Sequence, residues 1–248
     1  PRGFMSPLPI NLIVFSTTMG HAGKQTYKET IDRLLGQIDG CLFSSKVLHL
    51  KSRQGEEDVA DEIKSFCSDF GIRVIETKEE VVHHSENHLS HSAGYFKDIY
   101  KAYSDVEIRK QKYSLWLEDD WLFKSKLCLE MVFKECLKFL DDNPDQLCVR
   151  FNGAKDFSDP EGEFLVESEN ISTQAINYTK YGPTFTFQPN INRTNEIFIA
   201  WKAAQHHLDK LGSYHCELMS GDLLKNMSNS KTPFSFFNPQ KAYTEHIG

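Results

Sequence analysis

The chain has 248 residues, of which 40% are hydrophobic and 25% are charged, and this is an ordinary composition for a globular protein. Its formal net charge of −7 argues against general attraction to nucleic acid, whose binders usually carry a basic face. No run of 18 apolar residues occurs, so we expect no transmembrane segment. An acidic protein that binds an anionic ligand must therefore use local positive charge or a metal ion.

The six cysteines show no CxxC spacing, which argues against a zinc ribbon or a redox motif. Several of them stand in apolar surroundings, where free thiols are commonly buried. Together with the absence of a recognisable signal peptide, this pattern predicts a cytoplasmic protein with reduced thiols.

The first 151 residues alternate short apolar runs with amphipathic segments. Residues 10–16, for example, form a β-branched run that is typical of a buried parallel strand, and a helical pattern follows at 26–35. Further strands are predicted at 46–50, 72–75, 113–117 and 147–151. Further helices are predicted at 56–70, 93–103 and 127–140. Such alternation indicates an α/β fold with a mainly parallel central sheet flanked by helices.

The second part of the chain has weaker patterns. Residues 152–195 are rich in Asn, Thr and Gly, with one strand-like alternation at 184–187. Helices are predicted at 195–211 and 215–227. We interpret the chain as one domain of residues 1–248, with lobes at about 10–151 and 152–248.

Three adjacent acids, Glu118, Asp119 and Asp120, come directly after the strand at 113–117. Neighbouring carboxylates resist joint ionisation unless a cation or hydrogen bonds offset their charge. Ligands of parallel α/β sheets bind at the carboxyl ends of the strands, which is where this cluster should lie. Hard cations such as Mg²⁺ and Mn²⁺ are held by carboxylates together with phosphate oxygens. A solvated turn or a helix N-cap is the alternative interpretation.

This apolar strand with its acidic cluster resembles the DxD-type motif of glycosyltransferases with the GT-A fold, including family 2-like enzymes. The resemblance implies a Rossmann-like GT-A domain, a Mn²⁺ or Mg²⁺ cofactor and a UDP- or GDP-linked sugar donor. It implies that Asp120 binds the metal, that Glu118 contacts the donor and that Asp119 is the middle member of the motif. The usual acidic pair of the second strand is missing here, so the base of the nucleotide stays open.

GT-A enzymes often supply a late histidine as a further metal ligand, and His246 fits that role. Two further parts of the chain are similar to the nucleotide pocket of this family. One is the polar turn after the first strand, with Ser16, Thr17 and Thr18. The other comprises the ends of the second and third strands, where Lys51, Arg53 and Glu76 are candidate contacts.

A carboxylate near residues 214–222 is the candidate general base, because inverting GT-A enzymes usually place one at this point. Such a group deprotonates the acceptor hydroxyl as it attacks the anomeric carbon. Glu217 is the first candidate and Asp222 the second. A carboxylate that only stabilises a helix N-terminus is the simpler alternative.

The sequence therefore predicts a metal-dependent glycosyltransferase that moves a sugar from a nucleotide-sugar to a carbohydrate hydroxyl with inversion. Three alternatives remain open at this point: a retaining GT-A transferase, a nucleotidyltransferase, and an inactive carbohydrate-binding domain. A nucleotidyltransferase usually carries a Gly-rich basic loop after the first strand, and Gly20, Gly23 and Lys24 match that loop poorly.

Overall fold

A computed structural model describes most of the chain. The described residues are 8–20, 23–39, 42–78, 97–124, 128–151, 170–172, 177–181, 188–204, 236–239 and 243–247. The predicted strand at 184–187 and the predicted helix at 215–227 lie outside them. Among the described residues, no helix has the length and apolar character needed to cross a bilayer. Four cysteines in these ranges are free thiols: Cys67, Cys128, Cys136 and Cys148.

Eleven strands occur in the described ranges. In chain order they are β1 Leu8–Thr17, β2 Phe43–Ser52, β3 Arg73–Lys78, β4 Tyr113–Glu118, β5 Trp121–Phe123, β6 Cys148–Arg150, β7 Asn170–Ser172, β8 Asn177–Tyr181, β9 Asn190–Arg193, β10 Phe236–Pro239 and β11 Thr244–His246. The helices are α1 Tyr27–Leu35, α2 Glu57–Asp69, α3 at residues 97–104, α4 Val106–Arg109, α5 Leu129–Asp142 and α6 Thr194–Ala204.

Nine of these strands form one sheet in the order β3-β2-β1-β4-β9-β6-β10-β8-β7. The first four are mutually parallel, and β9 runs antiparallel between β4 and β6. The pairings give seven strands one direction and β8 and β9 the opposite one. The expectation of an α/β fold with a mainly parallel sheet is confirmed.

The central strands β1 and β4 are buried on both faces, as their continuous apolar runs predict. Alternate residues of β1 pack into different layers, with Val14 on one face and Phe15 on the other. The first layer contains α1, α2 and α5, and the second contains α3, α4 and α6. The predicted division at about residue 151 stays a prediction, and strands from both sides of it join this sheet.

The sequence did not predict β9, because three of its four residues are polar. Asn190 and Asn192 are nevertheless fully buried. Asn192 accepts a hydrogen bond from the Tyr103 hydroxyl at 3.1 Å and donates one to Asn190 Oδ1 at 2.9 Å. Buried amides of this kind need partners, and these partners exist only in the folded sheet.

Arg193, the last residue of β9, joins the sheet to the end of α5. Its guanidinium donates to the carbonyl oxygens of Gln146 at 2.7 Å and Asn143 at 3.2 Å, and also to Leu140. It also lies over the Tyr113 ring, 5.6 Å from the centroid. One cation thus donates to three carbonyl groups near a helix C-terminus, of which the Asn143 carbonyl also accepts from the Gln146 amide at 3.0 Å.

We expect Arg193→Met to lower the free energy of unfolding by on the order of 3 kcal/mol, since it leaves buried carbonyls without donors. Urea denaturation measures this change. Arg33→Met is the matched control, because the ion pair that Arg33 makes within the described residues is a surface contact with Glu29 at 4.0 Å. The control should cost at most about 0.5 kcal/mol. Equal losses in both variants would contradict the role given to Arg193.

Candidate functional site

The candidate site lies at the carboxyl edge of the sheet, where the ends of β1 and β4 meet. Phe15 pairs with Glu118 in the parallel register, and the Asp119 amide donates to the Phe15 carbonyl at 3.0 Å. Continued pairing beyond the strand end holds the polar turn after β1 against the acidic cluster. The two segments that the sequence singled out are therefore neighbours.

Asp119 points into the protein and is only 7% exposed. Its Oδ2 accepts a hydrogen bond from Ser16 Oγ at 2.5 Å, and its carbonyl accepts one from Thr30 Oγ1 at 2.7 Å. Burial raises the pKa of Asp119 to about 7, opposed by the Ser16 hydrogen bond and assisted by the charge of Asp120. Asp119 and Ser16 thus satisfy each other, although both were predicted to contact the nucleotide; that role stays a prediction.

Asp120 and His246 lie together although 126 positions separate them in the sequence. The His246 Nε2 is 2.9 Å from Asp120 Oδ2. Asp120 is buried, whereas the His246 side chain is 42% exposed. The predicted pairing of these two residues at one place agrees with this geometry, and their function as metal ligands stays a prediction.

A small two-stranded sheet carries His246 to this position. Strand β11 pairs antiparallel with β5, so that His246 lies opposite Trp121 with ring centroids 4.9 Å apart. The Ile247 amide then donates to the Asp120 carbonyl at 2.8 Å, and the Tyr243 amide donates to Phe151 at 2.8 Å. Backbone pairing therefore fixes the last described segment beside the acidic cluster.

The Asp120–His246 pair fits a divalent transition metal better than Mg²⁺, because an imidazole nitrogen suits Mn²⁺-type ions and Mg²⁺ prefers oxygen ligands. No group of three or more His, Cys, Asp or Glu side chains forms a metal-ligating cluster in the part of the chain described here. Two side chains at a partly exposed edge would leave coordination positions for the oxygens of a bound ligand. The donor set is therefore suited to a metal that is shared with a phosphate group.

The other candidate contacts divide between the two faces of the sheet. Strand alternation places Thr17, Lys51 and Glu118 on the face covered by α3. Glu76 is on the opposite face, where it accepts hydrogen bonds from Ser52 Oγ at 2.5 Å and Lys64 Nζ at 2.9 Å. These two hydrogen bonds lower the pKa of Glu76. Glu76 is thus not brought together with the other three.

Thr18 is buried and occupied by contacts within the protein. Its hydroxyl donates to Glu56 and accepts from the Arg53 amide at 3.2 Å, while its amide donates to the Lys51 carbonyl at 3.0 Å. These bonds tie the end of β1 to the turn that precedes α2. Thr18 therefore shapes the edge, and a direct contact with the nucleotide stays a prediction.

Glu217 and Asp222, the candidates for the general base, lie outside the described residues. Sequence reasoning also missed three polar groups that the fold brings to the edge, namely Thr30, Thr77 and Asp98. Each of them stands in a helix or strand with no local motif. Only their buried polar contacts reveal them.

No family model and no curated protein matches this sequence. Among solved structures, the chain is similar to the crystal structure of GalNAc-T7 with UDP, GalNAc and Mn²⁺, with a TM-score of 0.51 and 8% identity. The chain shares the fold of that transferase. The match covers 98% of this chain and 44% of the other, so this chain spans less than half of its length. The expected Rossmann-like GT-A fold is confirmed.

The raised pKa of Asp119 predicts that the free energy of unfolding of the metal-free protein depends on pH. Its pKa is 3.8 when unfolded and about 7 when folded, so the folded state binds more protons between pH 4 and pH 7. Stability contributed by this group is present below pH 4 and is lost as the pH rises to 7. The variant Asp119→Asn lacks this loss, and its stability relative to wild type should rise by on the order of 4 kcal/mol between pH 4 and pH 8.

Urea denaturation in EDTA at the two pH values measures this difference. Asp61→Asn is the control, because the Asp61 side chain is 76% exposed and its replacement should matter little at either pH. A constant difference between Asp119→Asn and wild type would show that burial does not hold the proton on Asp119.

Proposed function

We propose that this protein is a metal-dependent glycosyltransferase that moves a sugar from a nucleotide-sugar donor to a carbohydrate hydroxyl. The observation that carries the proposal is the Asp120–His246 pair, 2.9 Å apart at the carboxyl edge of a GT-A-like sheet. Ligands of such sheets bind at this edge. The GalNAc-T7 crystal structure, which has the same fold, contains UDP, GalNAc and Mn²⁺.

The charge of the leaving diphosphate explains why the proposed reaction would need the Asp120–His246 pair. A nucleoside diphosphate leaves with concentrated negative charge, and the chain itself carries a net charge of −7. A divalent ion supplies the neutralising charge when it is bound. Asp120 and His246 would hold that ion, and Asp120 supplies a carboxylate whose position is fixed by burial and by the β5–β11 pairing.

The other proposed ligand contacts come from residues that share one face of the sheet. We propose that Glu118 and Thr17, on the face covered by α3, contact the ribose or the donor sugar. Lys51 is on that face too and supplies a positive charge at the end of β2. Asp119, held by Ser16, keeps the main chain of the cluster in register and thereby orients Asp120.

For the acceptor, we propose an inverting reaction with Glu217 as the base, or Asp222 in its place. A carboxylate there takes the hydroxyl proton while the oxygen attacks the anomeric carbon, and the nucleoside diphosphate leaves. A retaining reaction would need no such base. UDP- and GDP-linked sugars are the proposed donors, Mn²⁺ is preferred over Mg²⁺, and a cytoplasmic location is proposed from the sequence.

We expect Asp120→Ala to abolish the Mn²⁺-dependent binding of nucleotide. In wild type, UDP or GDP with Mn²⁺ at about a hundredfold excess over Kd should stabilise the fold by about 2.7 kcal/mol. This corresponds to a rise in Tm of about 5–10 °C for a chain of this size. His246→Ala should weaken metal binding about 10- to 100-fold, because one of two protein ligands is lost.

Thermal-shift titrations with Mn²⁺, with EDTA and with each nucleotide give these values. Asp61→Ala, an exposed carboxylate on α2, is the matched control and should behave as wild type. If Asp120→Ala retains the full Mn²⁺-dependent shift, the site assignment fails. If wild type shows no shift with any nucleotide, the proposed function fails.

Glu217→Gln should lower kcat by a factor of about 10² to 10⁴ with little change in donor affinity, because an amide cannot accept the proton. The anomeric configuration of the product, determined by NMR, separates inversion from retention. A retained configuration, or full activity of both Glu217→Gln and Asp222→Asn, would exclude this base. Transfer of a nucleotidyl group instead of a sugar would replace the proposal by a nucleotidyltransferase.

A further inference from the structure

The imidazole of His246 meets the indole ring of Trp121 as well as the carboxylate of Asp120. The two ring centroids are 4.9 Å apart and the ring planes are inclined by 44°. This separation lies within the range of favourable aromatic pairs, which is about 4.5–7 Å. Trp121 directly follows Asp120 in the chain. Adjacent residues, at the point where the turn after β4 enters β5, therefore supply both of these contacts to the ring.

The backbone of β11 fixes the position of His246 but leaves the rotation of its ring open. The register with Trp121 and the bond from the Ile247 amide to the Asp120 carbonyl hold only the main chain. The His246 side chain is 42% exposed, so burial restrains it little, and exposed side chains change rotamer within nanoseconds. A half-turn of the ring would put a carbon where Nε2 now lies. Metal binding therefore needs a restraint on the ring itself.

The hydrogen bond to Asp120 is not sufficient as that restraint. If both residues bind one divalent ion, Nε2 and Oδ2 must each direct a lone pair at the ion, and the hydrogen bond between them is lost. The contact between the imidazole and the Trp121 indole involves no such exchange. It is a restraint that persists when the ion is bound.

The indole is a firm support, because the core and the main chain both hold it. Trp121 is partly buried and packs against the core cluster that contains Phe123. The Phe123 carbonyl accepts a hydrogen bond from Gln37 Nε2 at 3.3 Å, and the Lys124 amide donates to the Tyr243 carbonyl at 2.9 Å. These bonds fix β5 against α1 and β11. The indole can therefore hold a more exposed ring that packs on it.

The same contact favours the metal-bound form of His246. An imidazole that binds a divalent ion carries more positive charge, and an indole attracts positive charge within about 6 Å of its centroid. The contact between the two rings is therefore stronger with the ion bound than without it. Trp121 thus restrains the ring and also adds to the affinity.

We propose that Trp121 is a positioning residue, which holds the imidazole of His246 in the orientation that binds the divalent ion and so sets the metal affinity of the site. This inference rests on the proposed function, since it assumes that Asp120 and His246 bind a metal together with a nucleotide. It goes further by giving a role to a residue outside the acidic cluster.

Rotamer statistics give the size of the expected effect. Three wells of χ1 and two ring orientations about χ2 give the imidazole about six conformers, of which one directs Nε2 at Asp120. The apparent affinity falls in proportion to the fraction of molecules in the competent conformer. Loss of the indole should therefore weaken metal binding about three- to sixfold. This is a smaller loss than the one expected for His246→Ala, which removes the ligand.

Isothermal titration with the Mn²⁺ complexes of UDP and GDP measures the affinity of each variant. Trp121→Leu removes the ring and should bind the tighter complex about three- to sixfold more weakly than wild type. Trp121→Phe keeps an aromatic ring opposite His246 and should bind within about twofold of wild type. Trp121→Met keeps apolar bulk without a ring, and it replaces Trp121→Leu if that variant folds poorly.

A double-mutant cycle with His246→Ala shows whether Trp121 acts through the imidazole. In the His246→Ala background, Trp121→Leu should change the affinity by less than about twofold, because no ring is left to orient. Phe66→Leu is the matched control, since Phe66 is also a partly buried aromatic residue on the same core cluster and lies on α2. The control should lower the midpoint of urea denaturation, as Trp121→Leu does, and leave the affinity unchanged.

Three results would overturn the inference while the proposed function stands. The first is wild-type affinity in both Trp121→Leu and Trp121→Met. The second is an equal loss with and without the His246 side chain, which would mean that Trp121 contacts the ligand itself or acts through overall stability. The third is a loss in Trp121→Phe as large as in Trp121→Leu. If wild type binds neither Mn²⁺ complex, the proposed function fails, and this inference fails with it.

Discussion

The parallel hydrogen-bonded pairing of β1 with β4 is the constraint on which the site depends. The Asp119 amide extends the parallel pairing by one hydrogen bond beyond the strand end, and its buried carboxylate accepts the Ser16 hydroxyl. Thr30 of α1 then holds the Asp119 carbonyl. These bonds fix the main chain immediately before Asp120. A rigid main chain at that position is what allows one carboxylate to be aimed at a partner from the far end of the sequence.

The acidic cluster separates into three different environments although its residues are adjacent. Asp119 faces inward and holds its proton more tightly because of burial. Asp120 meets His246, and Glu118 is on the α3 face, partly exposed. Because the three carboxyl groups point in different directions, their mutual repulsion is smaller than the bare sequence suggests. The same divergence gives each of them a different environment.

The edge also shows how an acidic protein can present positive charge locally. Lys51 is balanced by Asp98 within the fold, so that its ammonium is kept at the end of β2 without leaving an uncompensated buried charge. The opposite face carries Glu76 in its own arrangement with Ser52 and Lys64. Polar groups on the two faces therefore serve different layers of the molecule, and only those on the α3 face adjoin Glu118.

Local pattern located the longer strands and helices of the first 151 residues, because hydrophobic periodicity directly reflects burial. It located β1, β4 and the acidic cluster after β4, and it placed them at one edge of a parallel sheet. It failed for β9, whose polar residues are buried only because Tyr103 and their own neighbours satisfy them. The short strands β5 and β11 were missed too, since three residues carry no readable period.

The sequence by itself determined the fold class and the chemical character of the site, because both follow from residue type and spacing along the chain. Tertiary structure alone decided which groups meet. The β5–β11 pairing brings His246 within 2.9 Å of Asp120, and α3 carries Asp98 over β2 and β3. These contacts join residues that are many positions apart, and no local periodicity encodes a contact whose partners are fixed only by the packing of the whole sheet.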